Sequence, residues 1–203
     1  MQDFKEVKPW YIEHLGIRNM ETLHIRTTRL QIRPLTLADL ADFHFYRSNP
    51  EVTKYQGFDV MTKEQAEQFI VENPSLTFGT RGKWVQYGIE HVESKRLIGD
   101  CAIKLDQSDD RMAQIGITLS PPEQQKGYAK EALRGILDFL FETNHIHRVS
   151  AIVDAENIAS IHLMKSIGFR QEGHFIENIF FKGKWGSEIQ FALLEREWVE
   201  TKK

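Results

Sequence analysis

Apolar residues alternate at Leu23 and Ile25, then at Leu30 and Ile32, a period of two that predicts a first strand over 23–33. Pro34 stops it. Thr36-Leu37-Ala38-Asp39 reads as a capped helix start, with the helix running to about Arg47. Asn49-Pro50 reads as a turn. Thr62 and Gln65 fit a capping box that opens a helix to about Glu72. Strands over 83–91 and 96–105 flank the polar turn Glu93-Ser94-Lys95 as a hairpin, and a third over 112–119 ends at Pro121-Pro122. From 127 to 144 the spacing turns helical: Ala129, Ala132, Leu133, Ile136, Leu137, Leu140 and Phe141 share one face. A strand over 147–154 follows, then a helix over 157–167 stopped by Gly168. Closing strands cover 169–181, broken near Gly173, and 185–194. This order predicts an α+β fold, a mostly antiparallel, twisted mixed sheet of about seven strands covered by helices. The single β-α-β unit makes 112–119 and 147–154 parallel neighbours.

Residues 1–23 hold Trp10, Tyr11, Ile12, Leu15 and Ile17. They read as an N-terminal extension with a short amphipathic helix over 8–15 packed on the main body. One domain is expected over 24–198, with a tail over 199–203.

Of the 203 residues 41% are apolar, enough for a core. The net charge of −3 gives no general reason to expect a nucleic-acid partner. A single cysteine, Cys101 inside the apolar run 98–103, rules out an intrachain disulfide and reads as a buried structural thiol. No apolar stretch reaches the roughly 18–20 residues that span a bilayer, and the charged stretch 1–9 lacks a signal-peptide core. The expectation is a cytoplasmic protein with no membrane partner. The closest histidine pair, His145 and His147, fits a loop better than a metal site, so no metal is expected. Lys202-Lys203 and Lys182-Gly183-Lys184 read as solvated charge.

Two constellations carry chemistry. The first is the loop 120–129, Ser-Pro-Pro-Glu-Gln-Gln-Lys-Gly-Tyr-Ala, between a strand and the long helix. Such a loop turns successive N–H groups toward one point, and the helix start adds about half a positive charge there. A pyrophosphate suits it: Gly127 lets the backbone approach, Ala129 leaves the first turn uncrowded, and Lys126 adds a cation. The plain alternative is an ordinary helix start. The second begins where a strand ends at Asn157, with Ser160 three residues on; here the plain alternative is an N-cap and a solvated serine.

Together these resemble the GNAT acetyltransferase superfamily. Its loop pattern (Gln/Arg)-x-x-Gly-x-(Gly/Ala) is matched by Gln124, Gly127 and Ala129. Its second signature is matched by Asn157, Ser160, Leu163, Lys165, Gly168 and Phe169. Arg33-Pro34-Leu35, Leu97-Ile98-Gly99 and the ending 192–198 look like the RimJ/RimL branch, the N-terminal acetylases of ribosomal proteins. The resemblance covers about 24–198. It implies a V-shaped cleft between two splayed strands and acetyl-CoA as cosubstrate. Backbone N–H groups of Gln125, Lys126, Gly127, Tyr128 and Ala129 would hold the pyrophosphate. Ile117 and Leu119 would pair with pantetheine, and an N–H near Ile117 or Thr118 would polarise the thioester carbonyl. Asn157 would bond the pantetheine arm, Lys165 belongs to the same cofactor signature, and Ser160 would protonate the leaving thiolate.

The sequence departs from the family at Gln125, often a glycine, and at Gln114, where many members have a glutamate base. Base candidates are then Glu177, with His174 and Glu90 behind it. Without a carboxylate at 114 the acceptor is expected to be an α-amine, as at a peptide or protein N-terminus such as a ribosomal protein's. A polyamine or aminoglycoside acceptor, and a non-catalytic acyl-CoA sensor, are the alternatives. A homodimer is compatible with the sequence.

Overall fold

The alternating segments pair into one open sheet in the order β1-β2-β3-β4-β5-β6-β8-β7 in a computed structural model, which describes residues 23–73 and 78–202. Its strands are β1 (Ile25–Arg26), β2 (Leu30–Pro34), β3 (Trp84–His91), β4 (Leu97–Leu105), β5 (Met112–Leu119), β6 (Arg148–Asp154), β7 (Arg170–Phe181) and β8 (Lys184–Leu194). Helices α1 (Leu40–Arg47), α2 (Pro50–Thr53), α3 (Lys63–Glu72), α4 (Tyr128–Asp138), α5 (Ile158–Ile167) and α6 (Glu195–Glu200) join them. The helix expected over 8–15 lies outside the described residues; the start of the main body, Leu23, is buried.

The sheet has eight strands rather than seven because 23–33 is not one strand. The chain turns at Thr27, whose N–H donates to the Leu30 carbonyl at 2.9 Å. Glu131 of α4 holds that turn, accepting the Thr27 hydroxyl at 2.6 Å and the Arg29 N–H at 2.7 Å. A partner a hundred residues away sets the break, so no local pattern announces it. Asn49-Pro50 opens the short α2, with Asn49 Oδ1 accepting the Glu51 N–H at 2.9 Å. The expected box at α3 forms: Thr62 N–H donates to Gln65 Oε1 at 2.8 Å and Gln65 N–H to Thr62 Oγ1 at 3.2 Å. The break near Gly173 is a register shift between Gln171 and Gly173, and a second falls between Phe175 and Ile179.

The apolar face of α4 (Ala132, Leu133, Ile136, Leu137) packs wholly buried on the sheet. Each such large side chain contributes about 1.5–3 kcal/mol. The expected tail begins inside α6, where Trp198 is buried and its indole N–H donates to Asp138 at 2.9 Å. Lys202 is not free in solvent; it pairs with Asp138 and Glu142. Lys182 also differs from expectation, since its ammonium donates to the Thr53 carbonyl at 2.6 Å and the Phe58 carbonyl at 3.1 Å. It ties the β7–β8 turn to the segment after α2. Cys101 is buried, and that burial pushes its thiol pKa up, leaving it inert.

Among the described residues, no helix is long and apolar enough to cross a membrane.

Candidate active site

β5 and β6 are parallel, as their connection through α4 requires, but they pair only over Met112↔Arg148, Ala113↔Val149 and Gln114↔Ser150. Beyond that rung β5 stays with β4 as far as Leu119, and β6 stays with β8 as far as Asp154. The two strands part, and Gln114 stands at the apex.

Strand alternation says what faces the gap. Ser120 N–H donates to the Ile98 carbonyl and Asp106 N–H to the Met112 carbonyl, both at 2.9 Å. Main-chain groups of Gln114, Gly116 and Thr118 therefore point at β4, and those of Ala113, Ile115, Ile117 and Leu119 point toward β6. The Ser150 hydroxyl accordingly donates to the Ala113 carbonyl at 3.3 Å. Past the apex, Ile115, Ile117 and Leu119 offer their edge to the gap with no strand opposite. Of the two residues expected to present an N–H to a thioester, Ile117 has it in the gap. Thr118 has its N–H in the β4 ladder.

The loop after β5 closes around this edge. Gln124 Nε2 donates to the Leu119 carbonyl at 3.1 Å, fixing the strand end rather than reaching outward. Gln125 has φ 62 and Gly127 φ 81. The left-handed turn that a glycine at 125 would ease is thus adopted by glutamine. Gly127 is the N-cap of α4, and the first bond back to it is Glu131 N–H to its carbonyl at 3.1 Å. The preceding N–H groups are left without intrahelical partners, as at any helix start. A side chain at Gly127 would meet only Arg29 Nη2, at 3.5 Å, so the space before the helix is open. An anion fits this cradle.

Arg29 braces it from outside. Its Nη1 donates to the Lys126 carbonyl at 3.2 Å, its Nε to Glu131 at 2.7 Å, and its guanidinium lies 4.4 Å from the Tyr128 ring centroid. Lys126 pairs with Glu123 at 3.1 Å, and Ala129 packs against the core. Across the gap, Asn157 caps α5, its Oδ1 accepting the Ser160 N–H at 3.1 Å. The plain N-cap reading of Asn157 therefore holds, whatever else the residue binds. Ser160 is half-buried in the first turn of α5, and Lys165 is exposed near its end.

On the other face of the splay lies a cavity of about 520 Å³. Gln114, Gly116 and Thr118 form its floor, with Ala102 and Asp100 beside them on β4. Asp154 and Glu188, opposite each other on β6 and β8, stand in one wall. Asn178 Nδ2 donates to Glu188 at 2.6 Å. The segment tied down by Lys182 supplies Phe58 and Tyr55.

The expected bases fall elsewhere. Glu177 sits exposed at the second β7 bulge with φ 46, its N–H donating to Ser187 Oγ at 2.9 Å, and it does not line this cavity. His174 is exposed earlier on the same strand. Glu90 is ion-paired to Arg33 at 2.8 Å, a structural contact.

Sequence reasoning missed a buried cluster in the cavity. Arg47 and Asp100 pair at 2.7 Å with side chains 2% and 1% exposed. Tyr46 OH donates to Asp100 at 2.6 Å, and Gln86 donates as well. Burial first, then the Asp100 carboxylate, raise the Tyr46 pKa well above ordinary, so the hydroxyl stays a donor. Desolvating such ions costs several kcal/mol each, which only this degree of hydrogen bonding offsets. The signal available was a carboxylate inside the apolar run 97–105.

A splayed parallel pair, an anion cradle at a helix start beyond it and a cavity on the other side define an acyl-CoA-dependent transferase fold. Residues 29–170 match the acetyltransferase (GNAT) domain family, and the chain belongs to that family. It is 34% identical over 176 residues to the uncharacterized N-acetyltransferase YnaD of Bacillus subtilis (strain 168), covering 87% of this chain and 99% of that one. The crystal structure of a GNAT-family acetyltransferase from Bacillus anthracis superposes with TM-score 0.77 at 29% identity, covering 86% of this chain and 99% of that one. Spermidine N(1)-acetyltransferase of Vibrio cholerae is 25% identical over 178 residues, 85% of this chain and 96% of that protein. The protein is an N-acetyltransferase that uses acetyl-CoA as cosubstrate.

Proposed function

We propose that the chain transfers acetyl to the N-terminal α-amine of a peptide or protein in the cytoplasm, by direct attack of the amine on the thioester in a ternary complex. A ribosomal protein is an acceptor of the right kind. The observation that carries this reading is the mixed sign of the cavity. Arg47 and Lys104 stand in its wall with Asp154 and Glu188, and the third carboxylate, Asp100, is cancelled by Arg47 at 2.7 Å. A polycation would meet repulsion at Lys104, whereas a single α-ammonium held by Asp154 or Glu188 and followed by neutral chain would not. The chemistry agrees. An α-amine of pKa about 7.8 is roughly 15% neutral at pH 7, against roughly 0.04% for a lysine-type amine. With glutamine at the apex, the first makes the smaller demand on a base.

In this reading the N–H groups of Gln125 to Ala129 bind the pyrophosphate, and the free edge at Ile117 and Leu119 takes pantetheine as an added strand. Asn157 and Lys165 lie along the same arm. Acetyl-CoA supplies the activated carbonyl; this chain supplies position and the Ile117 N–H.

The test compares an alanyl- or seryl-headed peptide with N-α-acetyl-lysine and spermidine at pH 7 and pH 9. The peptide should be the best substrate at pH 7, with kcat/KM rising and levelling near its own amine pKa. A second reading, a polyamine acceptor, is favoured by Asp154 and Glu188 in one wall and by the relative named for spermidine. Preference for spermidine at pH 7 would select it.

Ser160 is assigned the leaving thiolate. Ser160→Ala should lower kcat while acetyl-CoA affinity holds, the pattern of an interaction made mainly in the transition state. An unchanged kcat with chemistry rate-limiting would remove Ser160 from the mechanism.

A further inference from the structure

Arg47 is 2% exposed, yet it lines the acceptor cavity. Its position is fixed on several sides. Nη2 and Nε donate to the two oxygens of Asp100 at 2.7 and 3.1 Å. The guanidinium carbon lies 3.9 Å from the Phe58 ring centroid, 5.0 Å from that of Phe43 and 5.8 Å from that of Phe69. Asp100 in turn is saturated, because Tyr46 and Gln86 also donate to it. A buried ion pair is weak support for stability, since apolar replacements often do as well. Holding a guanidinium rigid at the wall of a cavity is a different use.

That guanidinium has donors to spare. Arginine carries five N–H groups, and Asp100 takes those on Nε and one face of Nη2. Nη1 has no hydrogen-bond partner among the described residues. The open space that Arg47 borders is the cavity. A nearly buried donor of this kind calls for an oxygen acceptor. The opposite need stands in the same cavity, where Asp154 and Glu188 suit an ammonium.

We propose that Arg47 is the recognition residue for a carbonyl or carboxylate oxygen carried next to the acceptor's amine, so that the substrate is an α-amino acyl group. The inference rests on the α-amine reading above and sharpens it. The cavity reads two groups at once, the amine and the oxygen one carbon away. A peptide N-terminus and a free amino acid both have that chemistry. An alkylamine has only the amine.

The experiment measures kcat/KM, expressed per neutral amine, for an alanyl dipeptide amide, free alanine and isopropylamine. Isopropylamine keeps the branched amine carbon and lacks the oxygen. With the native protein at least one of the oxygen-bearing acceptors should exceed isopropylamine by tenfold or more; which one does identifies the source. Arg47→Lys keeps a cation beside Asp100 and removes the fork. It should lower the ratio of the best oxygen-bearing acceptor to isopropylamine at least tenfold, with desacetyl coenzyme A affinity as the check on folding. Should that variant fail to fold, the native comparison decides alone. Equal rates for isopropylamine and both oxygen-bearing acceptors overturn the assignment of Arg47 while leaving the α-amine reading intact. Turnover of spermidine with all three inert overturns both.

Discussion

Gly127→Asp should weaken acetyl-CoA binding at least tenfold with the fold preserved. Gly127 sits at φ 81, ψ −1, as the N-cap of α4. A side chain there costs about 1–2 kcal/mol in the left-handed region, but it meets nothing nearer than Arg29 Nη2 at 3.5 Å. The aspartate carboxylate would stand at the helix start beside the cradle and repel the phosphate. Stability and binding are thereby separated. Calorimetric titration with acetyl-CoA reads the affinity, and thermal melting reads the fold. Gly127→Ala supplies the strain without the charge and should lose much less. An aspartate variant that melts normally and binds as the native protein does would place the cradle elsewhere.

Elements set by local pattern were legible in the sequence, and those set by distant partners were not. The helical face from Ala132 to Leu137 is a periodic run, and it is buried as that period demands. The Thr62–Gln65 box is contained in four residues. By contrast, the break at Thr27 exists because Glu131 reaches it, and Lys182 is drawn from solvent by carbonyls at 53 and 58. Neither partner is visible from a window of neighbouring residues. The site divides the same way. The 124–129 loop and the Asn157 helix start are contiguous motifs, and the structure places them on either side of the splayed strands. The cavity is assembled from α1, the segment after α2, α3 and six strands, β3 to β8, so its members share no spacing. Glu177 reads as a base candidate because it is an acidic residue on the strand after Gly173; the second bulge, between Phe175 and Ile179, which no local pattern announces, sets where it stands.

Gly116→Val should give a protein that is at least as stable as the native one and nearly inactive. Gly116 lies in the middle of β5, opposite Ala102, and lines the cavity proposed to take the acceptor. A Cβ built there finds no atom within 4 Å. Nothing in the folded chain requires glycine at that point, and glycine in a strand costs about 0.5–1 kcal/mol relative to alanine. Valine is among the residues strands favour. The two small residues, Gly116 and Ala102, instead leave the floor of the 520 Å³ cavity hollow between Gln114 and Thr118. A branched side chain would fill that hollow and lift an acceptor away from the gap between β5 and β6. Displacement of about 1 Å is enough to cost on the order of 100-fold in rate, so kcat/KM for the acceptor should fall by about that factor. Binding of desacetyl coenzyme A should stay within about threefold, because pantetheine would pair with the main-chain edge at Ile115, Ile117 and Leu119, which the substitution leaves in place. Gly116→Ala should fall between the native protein and valine. The combination expected is a melting temperature unchanged or raised, coenzyme A affinity retained and acetyl transfer lost. A valine variant that still acetylates its acceptor at the native rate would mean that the amine approaches from another side of the sheet.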